Sequence, residues 1–295
     1  VKVAVRDWQA NLIRLPLSQD RWFGKVSGQE DGGAGYRALV RRLVNLCAAN
    51  NAYIILDLHW SDAGEWGKNI GQHNLPDRNS VAFWKDLAPA FKDHPAVLFD
   101  LYNEPARIDW DQWYRGGPMT EANEKTGVTL TYDAVGMPEL ANAIRATGAK
   151  NVIIAGGINW AYEVEGILDG RVLADPQGRG VVYAVHPYPH AYAGLGRETI
   201  AQWAARMEVF ARRFPIIVAE FGSIEAKWPF PKEWNTHDEQ WNREMLEVLE
   251  AHRWNWAAWD FHVAAWPCLI SDWNYTPTPH FGIWVKRALA RNPSP

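Results

Sequence analysis

The sequence has 295 residues, of which 47% are hydrophobic, and its formal net charge is -4 at pH 7. This length suits one large domain or two small ones, and the apolar content is ample for a sizeable core. A slightly acidic chain offers no basic field to attract nucleic acid or an anionic membrane. No apolar run approaches the roughly 20 residues that a membrane-spanning helix needs. We therefore expect no nucleic acid and no membrane among the partners.

The chain contains two cysteines, Cys47 and Cys268, which match neither a disulfide framework nor a metal-binding motif. Cys47 falls late in a predicted helix, and Cys268 falls in a predicted loop. Free cysteines prefer buried sites. We expect both residues to be buried free thiols.

Apolar runs of strand length alternate along the chain with segments of helical periodicity. The predicted strands are 11–16, 53–58, 97–103, 151–155, 181–186, 216–221 and 256–261, and the predicted helices are 36–50, 81–94, 137–147, 200–214 and 239–252. Strands that are apolar on both faces and are separated by helices indicate a parallel sheet covered by helices. The pattern predicts an α/β protein, a (β/α)8 TIM barrel, with one catalytic domain over residues 1–295.

Seven predicted strands are one fewer than such a barrel needs. Residues 1–5 are β-prone, but only about six residues separate them from the next strand, too few for a right-handed parallel crossover. We therefore expect residues 1–10 to be the end of a helix and the first strand to be missing from this chain. The alternative is an irregular barrel in which residues 1–5 take the place of that strand.

Polar and aromatic residues stand where the predicted strands end. They are Arg14, His59 with Trp60, Asn103 with Glu104, Asn159 with Trp160, His186 with Tyr188, Glu220, and Trp259 with Asp260 and His262. In a parallel barrel the chemistry lies on the face where the carboxyl ends of the strands emerge. Packing alone does not explain so many polar residues at one topological position, so we interpret the set as an active site.

Two of these strands end in a glutamate, Glu104 and Glu220. A retaining glycosidase needs one protonated carboxylic acid for the leaving oxygen and one ionised carboxylate as nucleophile, about 5 Å apart. Arg14 is a fixed cation that can keep one carboxylate ionised, and a tyrosine hydroxyl can orient the same group. The pair of glutamates therefore predicts hydrolysis of a glycosidic bond.

The neighbouring residues suit a sugar substrate. Asn103 can hydrogen-bond the 2-OH of the sugar, a contact that strengthens in the transition state. His59 and His186 can donate to sugar hydroxyls or to a carboxylate, and Trp259 can form the floor under the reacting ring. Asp57 and Asp100 lie within strands, and we expect them to make structural hydrogen bonds.

Tryptophan is unusually abundant, with 18 residues in 295. Flat indole faces suit the C–H faces of sugar rings, although some tryptophans must fill the core. Ten of them follow predicted strands: Trp60, Trp66, Trp110, Trp113, Trp160, Trp228, Trp234, Trp259, Trp266 and Trp273. We expect at least three to line a saccharide cleft, and their spread over many loops indicates a long, endo-acting cleft.

Taken in order, these motifs resemble glycoside hydrolase family 5, a family of (β/α)8 retaining glycosidases. The matching segments are the arginine strand 11–16, the histidine strand 56–60, the Asn-Glu-Pro motif at 103–105, the His-x-Tyr motif at 186–188, the nucleophile strand 219–222 and the tryptophan strand 256–259. The resemblance implies that Glu104 is the acid/base and Glu220 the nucleophile. The residues that it assigns to substrate binding or support are Arg14, His59, Trp60, Asn103, Trp160, His186, Tyr188 and Trp259.

The predicted activity is retaining, endo-acting hydrolysis of β-1,4-linked polysaccharide, most simply β-glucan or cellulose. An endo-β-mannanase or a xyloglucanase of the same family is the alternative. We expect a polysaccharide or oligosaccharide partner, no cofactor and no metal. We also expect a monomer, secreted because a polymer cannot enter the cell.

Two weaker alternatives belong to other classes. A metal-dependent barrel hydrolase would use His/Asp combinations, but no convincing ligand set is complete. The combinations are Asp57 with His59, His186 with His190, and Asp260 with His262. A non-catalytic saccharide-binding barrel would keep the tryptophans and need neither glutamate.

Overall fold

The computed structural model describes residues 1–65, 69–122, 127–189, 198–223 and 239–291. Within these ranges no helix combines the length and the apolar character that crossing a membrane requires. The chain divides into two compact units. The central unit is Arg14–Ala49 with Tyr53–Tyr183, and the terminal unit is Val1–Ile13 with Asn50–Ala52 and Ala184–Pro295.

Strands and helices alternate as the sequence predicts. The strands are β1 (Leu12–Ser18), β2 (Tyr53–Trp60), β3 (Val97–Asp100), β4 (Gly116–Ala122), β5 (Thr129–Val135), β6 (Ile153–Gly156), β7 (Val181–Val185), β8 (Ile216–Val218) and β9 (Asn255–Trp256). The helices are α1 (Gln19–Trp22), α2 (Ala34–Ala48), α3 (Arg78–Phe91), α4 (Trp110–Arg115), α5 (Met137–Arg145), α6 (Ile158–Ala161), α7 (Glu165–Leu168), α8 (Ile200–Ala211), α9 (Glu239–His252) and α10 (Gly282–Arg291).

The central unit is built on parallel strands in the order β1, β2, β3, β6. β2 pairs with β3 in parallel from Ile54↔Val97 to Asp57↔Asp100, and β3 pairs in parallel with β6. Apolar side chains of β2 such as Ile54 and Leu58 are completely buried. Strands covered on both faces read as continuous apolar runs, which is why the sequence revealed them.

A β-hairpin in the central unit was not predicted. β4 and β5 pair antiparallel from Gly116↔Val135 to Ala122↔Thr129. The Val135 N–H donates to the Pro76 carbonyl at 2.8 Å, which attaches the hairpin to the segment that follows β2. Few of its side chains are buried, so neither strand carries the apolar run that marks the parallel strands.

The terminal unit contains the pairing of β8 with β9, which is parallel at Ile217↔Asn255 and Val218↔Trp256. Its core is aromatic: Phe221 meets the rings of Trp256 and Phe281 edge-on, each at 5.7 Å. The helix predicted over 239–252 is present with those bounds, whereas α10 was not predicted.

Residues at the start of the chain are helical, as expected, and do not form a strand. Val3–Asp7 form a π-helical segment. The buried Trp8 follows it and packs edge-on against Phe261, with ring centroids 5.0 Å apart. Cys47 and Cys268 are both buried free thiols, which confirms that prediction.

Replacing Arg145 with methionine is expected to lower the free energy of unfolding by about 3 kcal/mol, because the carboxylate of Asp175 would stay buried without the cation that pairs with it. Arg145 donates from Nε and Nη2 to Asp175 at 2.6 and 2.9 Å, and both side chains are 7% exposed. It also donates to the carbonyls of Ala149 and Asn151. Urea denaturation at neutral pH measures the loss.

The same pair predicts a pH dependence of stability. Hydrogen bonds from Arg145 lower the pKa of Asp175 below its ordinary value of 3.8. A lowered folded-state pKa adds stability that is complete above 3.8 and is lost as pH falls below it. Arg145→Met should lack this acid-sensitive part.

The control is Arg78→Met, whose partner Asp133 is 62% exposed and which should cost less than about 1 kcal/mol. Equal losses of unfolding free energy in Arg145→Met and Arg78→Met would contradict the expected cost of breaking the buried ion pair.

Candidate active site

The guanidinium of Arg14 is the hub of a buried polar cluster in the central unit. Its side chain, on β1, is 4% exposed. Nε and Nη2 donate to Asp100 Oδ2 at 3.0 and 2.9 Å, and Nη2 also donates to Asn103 Oδ1 at 2.8 Å. Nη2 lies 3.1 Å from Asp57 Oδ1. Asp57 and Asp100 therefore make the structural contacts that were expected of them.

His59 is oriented by the same cluster. Its Nδ1 lies 2.8 Å from Asp57 Oδ2, and its Nε2 lies 3.5 Å from the amide nitrogen of Asn103. Burial raises the pKa of Asp57 to about 7, and the charge of Arg14 opposes this shift. The contact with Asp57 fixes the orientation of the His59 ring.

A pocket of about 280 Å³ opens beside Glu104 within the central unit. The indoles of Trp60 and Trp160 line it, together with Asn103 and Glu104. The ring of Trp60 packs closely on Gly71, where a methyl group would lie 2.3 Å from Cζ3. Two indoles beside a carboxyl group provide the apolar faces and the polar edge that a sugar ring matches.

The indole of Trp160 is presented by a strained backbone. Asn159, Trp160 and Ala161 have φ values of 50°, 57° and 58°, in the left-handed region that side chains other than glycine rarely adopt. The backbone N–H of Trp160 donates to the Pro105 carbonyl at 3.0 Å, which ties this turn to the residue after Glu104. Strain of this kind persists where surrounding contacts enforce it and often marks a functional position.

The terminal unit brings Glu220, His186 and Tyr188 together. The Tyr188 hydroxyl donates to Glu220 Oε2 at 2.7 Å, and His186 Nδ1 lies 3.8 Å from the same oxygen. Glu220 is 4% exposed and His186 is fully buried. The Ala219 N–H donates to the Val185 carbonyl, so the residues just beyond β7 and β8 fall side by side.

Trp259 and Asp260 complete this part of the site. The backbone N–H of Trp259 donates to the carbonyl of Phe221 at 3.1 Å. This bond anchors Trp259 to the residue that follows Glu220. Burial, followed by the charge of Glu220, raises the pKa of Asp260 to about 8. Asp260 is therefore largely neutral at pH 7. From the sequence, Asp260 was predicted to stand at a strand end and was considered only as a metal ligand with His262, in the weaker metal-dependent alternative.

The structure sorts the predicted residues into two groups. The central unit holds Arg14, His59, Trp60, Asn103, Glu104 and Trp160, and the terminal unit holds His186, Tyr188, Glu220 and Trp259. Trp113 is a core residue, completely buried, with its indole N–H donating to the Gly156 carbonyl. Trp66, Trp228, Trp234 and His190 lie outside the described residues.

Gln72 contacts two residues of the candidate site and was not predicted from the sequence. It lines the pocket and hydrogen-bonds both Asn103 and the main chain of Glu104. It lies in the loop after β2, where no periodicity or strand end signals its position.

Replacing Tyr188 with phenylalanine is expected to lower kcat about tenfold, because a hydrogen bond to a charged group would be lost. The ring keeps its packing, so we expect the melting temperature to change little. Tyr114→Phe removes a hydroxyl from a ring that is 37% exposed and serves as the control. Unchanged kcat in Tyr188→Phe would show that this hydroxyl does not support the reaction.

Parallel strands that deliver glutamates at their carboxyl ends, beside indoles and fixed amides, are typical of barrel glycoside hydrolases. The model of the cellulase family, glycosyl hydrolase family 5, matches residues 1–265, and the chain belongs to that family. This membership and the parallel strand pairs confirm the predicted fold class, an α/β protein of the (β/α)8 TIM-barrel type.

Relatives with assigned activities are similar at low identity. Endoglucanase MaCel5A of Microbulbifer sp. (strain ALW1) is 23% identical over an alignment of 293 residues, which covers 95% of this chain and 48% of that protein. Endoglucanase Z of Dickeya dadantii (strain 3937) is 24% identical over 227 residues, 75% of this chain and 42% of that protein. The chain thus spans about half the length of these relatives.

A solved structure shares the fold. The crystal structure of β-glucanase SdGluc5_26A from Saccharophagus degradans in complex with cellotetraose superimposes with a TM-score of 0.74 at 19% identity. The match covers 99% of this chain and 82% of that chain.

Proposed function

We propose that this protein is a retaining endo-β-1,4-glucanase that acts by double displacement. Glu220 attacks the anomeric carbon while Glu104 protonates the leaving oxygen. Glu104 then removes a proton from water, which attacks the glycosyl-enzyme intermediate and releases Glu220. The reaction needs the two carboxyl groups about 5 Å apart across the scissile bond.

The observation that carries the proposal is the 2.7 Å hydrogen bond from the Tyr188 hydroxyl to Glu220, whose side chain is 5% exposed. This bond holds a buried carboxylate in one orientation, as attack on a single carbon atom requires. Burial raises the pKa of the nearby Asp260 to about 8, which favours the neutral form of this acid beside the nucleophile at pH 7.

The environment of Glu104 suits the acid/base. Glu104 is partly exposed and lines the pocket with Trp60 and Trp160, whereas Glu220 is buried. Two carboxyl groups in different environments can hold different protonation states, which is the requirement for acid and nucleophile to coexist. Arg14 holds the side-chain oxygen Oδ1 of Asn103, so the side-chain N–H of Asn103 can be offered to the sugar 2-OH.

The substrate class follows from the relatives. Both are named endoglucanases, and the structural relative was solved with cellotetraose. β-1,4-Glucan is therefore the leading substrate, with mannan and xyloglucan as alternatives. Product analysis on carboxymethyl-cellulose, glucomannan and xyloglucan tests this. We expect rapid loss of carboxymethyl-cellulose viscosity with few new reducing ends; hydrolysis of glucomannan or xyloglucan alone would overturn it.

We further propose that residues 1–295 act as one catalytic domain, as a secreted monomer that needs no cofactor or metal. Two carboxyl groups and water supply all the proton transfers and the nucleophile of this reaction. Full activity in the presence of a chelator supports the part of this proposal that excludes a required metal ion. Activity abolished by the chelator and restored by a divalent cation would favour the metal-dependent alternative.

A further inference from the structure

Gln72 bridges two consecutive residues, Asn103 and Glu104, in the segment that follows β3. Its Oε1 accepts a hydrogen bond from Asn103 Nδ2 at 2.8 Å. Its Nε2 donates to the backbone carbonyl of Glu104. One side chain from a different loop thus contacts both the proposed 2-OH ligand and the main chain of the proposed acid/base.

The bonding partners leave these two amides only one orientation. The Glu104 carbonyl can only accept, so the nitrogen of Gln72 must face it, and its oxygen must then face the nitrogen of Asn103. At the other end the Arg14 guanidinium can only donate, which agrees with the Asn103 oxygen facing it at 2.8 Å. The result is a directional chain of donors from Arg14 through Asn103 and Gln72 to Glu104, and such chains reinforce their members.

The loop that carries Gln72 is fastened along the same strand end. The Tyr102 hydroxyl donates to the His73 carbonyl at 2.8 Å, and the Ala106 N–H donates to the Asn74 carbonyl at 3.0 Å. The Asn74 N–H in turn donates to Glu121 on β4 at 2.9 Å. On the preceding side, the Ser61 N–H donates to the Gly71 carbonyl at 3.0 Å. Contacts on both sides of Gln72 therefore hold its backbone, so the bridge does not depend on a loose surface side chain.

We propose that Gln72 is a positioning residue that orients the amide of Asn103 and the main chain of Glu104 for glycosidic cleavage. The inference rests on the proposed function of those two residues. One amide hydrogen of Asn103 is bound to Gln72. The other lies on the side of His59 Nε2, which at 3.5 Å is too distant for a strong bond, and can meet a sugar hydroxyl.

Two substitutions separate the two halves of the bridge. Gln72→Met removes both hydrogen bonds at similar side-chain size, and we expect kcat/KM on carboxymethyl-cellulose to fall on the order of tenfold at every pH. Gln72→Glu can still accept from Asn103, but its ionised carboxylate opposes the Glu104 carbonyl. A protonated carboxyl can donate to that carbonyl. The ratio of Gln72→Glu to wild-type kcat/KM should therefore rise as pH is lowered.

The pH ratio distinguishes positioning from a merely structural role, because general loosening of the loop would lower activity without making it pH-dependent. Gln240→Met, on the exposed face of α9, is the matched control and should keep wild-type activity. A flat pH ratio for Gln72→Glu, or Gln72→Met activity within about twofold of wild type, would overturn the inference while a hydrolysing wild type upholds the proposed function. If Gln72→Met does not fold, the pH ratio of Gln72→Glu decides alone. A wild type without hydrolysis would overturn both.

Discussion

Replacing Glu220 with glutamine is expected to lower turnover on the order of 10⁴-fold, because the amide cannot form the glycosyl-enzyme intermediate. The side chain keeps its size, and Tyr188 can still donate to the amide oxygen, so the melting temperature should remain close to that of wild type. Initial rates on carboxymethyl-cellulose and on an aryl β-cellobioside measure the loss.

The control is Glu244→Gln on α9, whose carboxylate accepts a hydrogen bond from Gln240 on the exposed face of that helix. This substitution removes one negative charge from the terminal unit and should leave turnover unchanged. Turnover of Glu220→Gln within tenfold of wild type, in a folded protein, would remove Glu220 from the role of nucleophile.

Replacing Glu104 with glutamine should lower turnover on polysaccharide by roughly 10² to 10⁴-fold, the usual contribution of general acid–base catalysis. The loss should depend on the leaving group. A dinitrophenolate leaves without protonation, so a dinitrophenyl β-cellobioside should react in the first step at a near-normal rate. Because Glu104 is also needed to activate water, the intermediate should then accumulate.

The expected observation is a rapid burst of dinitrophenolate, one per enzyme molecule, followed by slow steady-state release. Azide should accelerate the slow phase, since an anionic nucleophile needs no general base. Glu220→Gln should show no burst. Equal losses of Glu104→Gln on the dinitrophenyl glycoside and on polysaccharide would contradict its assignment as the acid/base.

The sequence revealed the elements whose structure depends on burial on both faces. β2 and β3 were predicted because such strands are nearly continuous apolar runs. The predicted strand 256–261 was too long, because the pairing ends at Trp256 while the aromatic run continues into the loop that carries Trp259. The β4–β5 hairpin escaped notice because its sparsely buried strands lack such a run.

Residues of the candidate site could be predicted where they depend on the alternation of strands and helices, but not where they depend on the course of a loop. Arg14, Glu104 and Glu220 follow from their positions in the alternation of strands and helices. Gln72 does not, because its contacts with Asn103 and Glu104 exist only once the loop after β2 has folded back on that strand end. Likewise, Asp260 was visible at a strand end, but its raised pKa depends on burial in the folded chain.

The central claim is that Glu220 becomes covalently attached to the sugar. Incubation with dinitrophenyl 2-deoxy-2-fluoro-β-cellobioside, followed by proteolysis and mass spectrometry, tests it most directly. The good leaving group favours formation of the intermediate, and the fluorine slows its hydrolysis by removing the 2-OH contact and destabilising the oxocarbenium-like transition state. The account predicts one fluorocellobiosyl group per molecule, attached to Glu220. A label on another residue, or no label together with an α-configured first product, would contradict it.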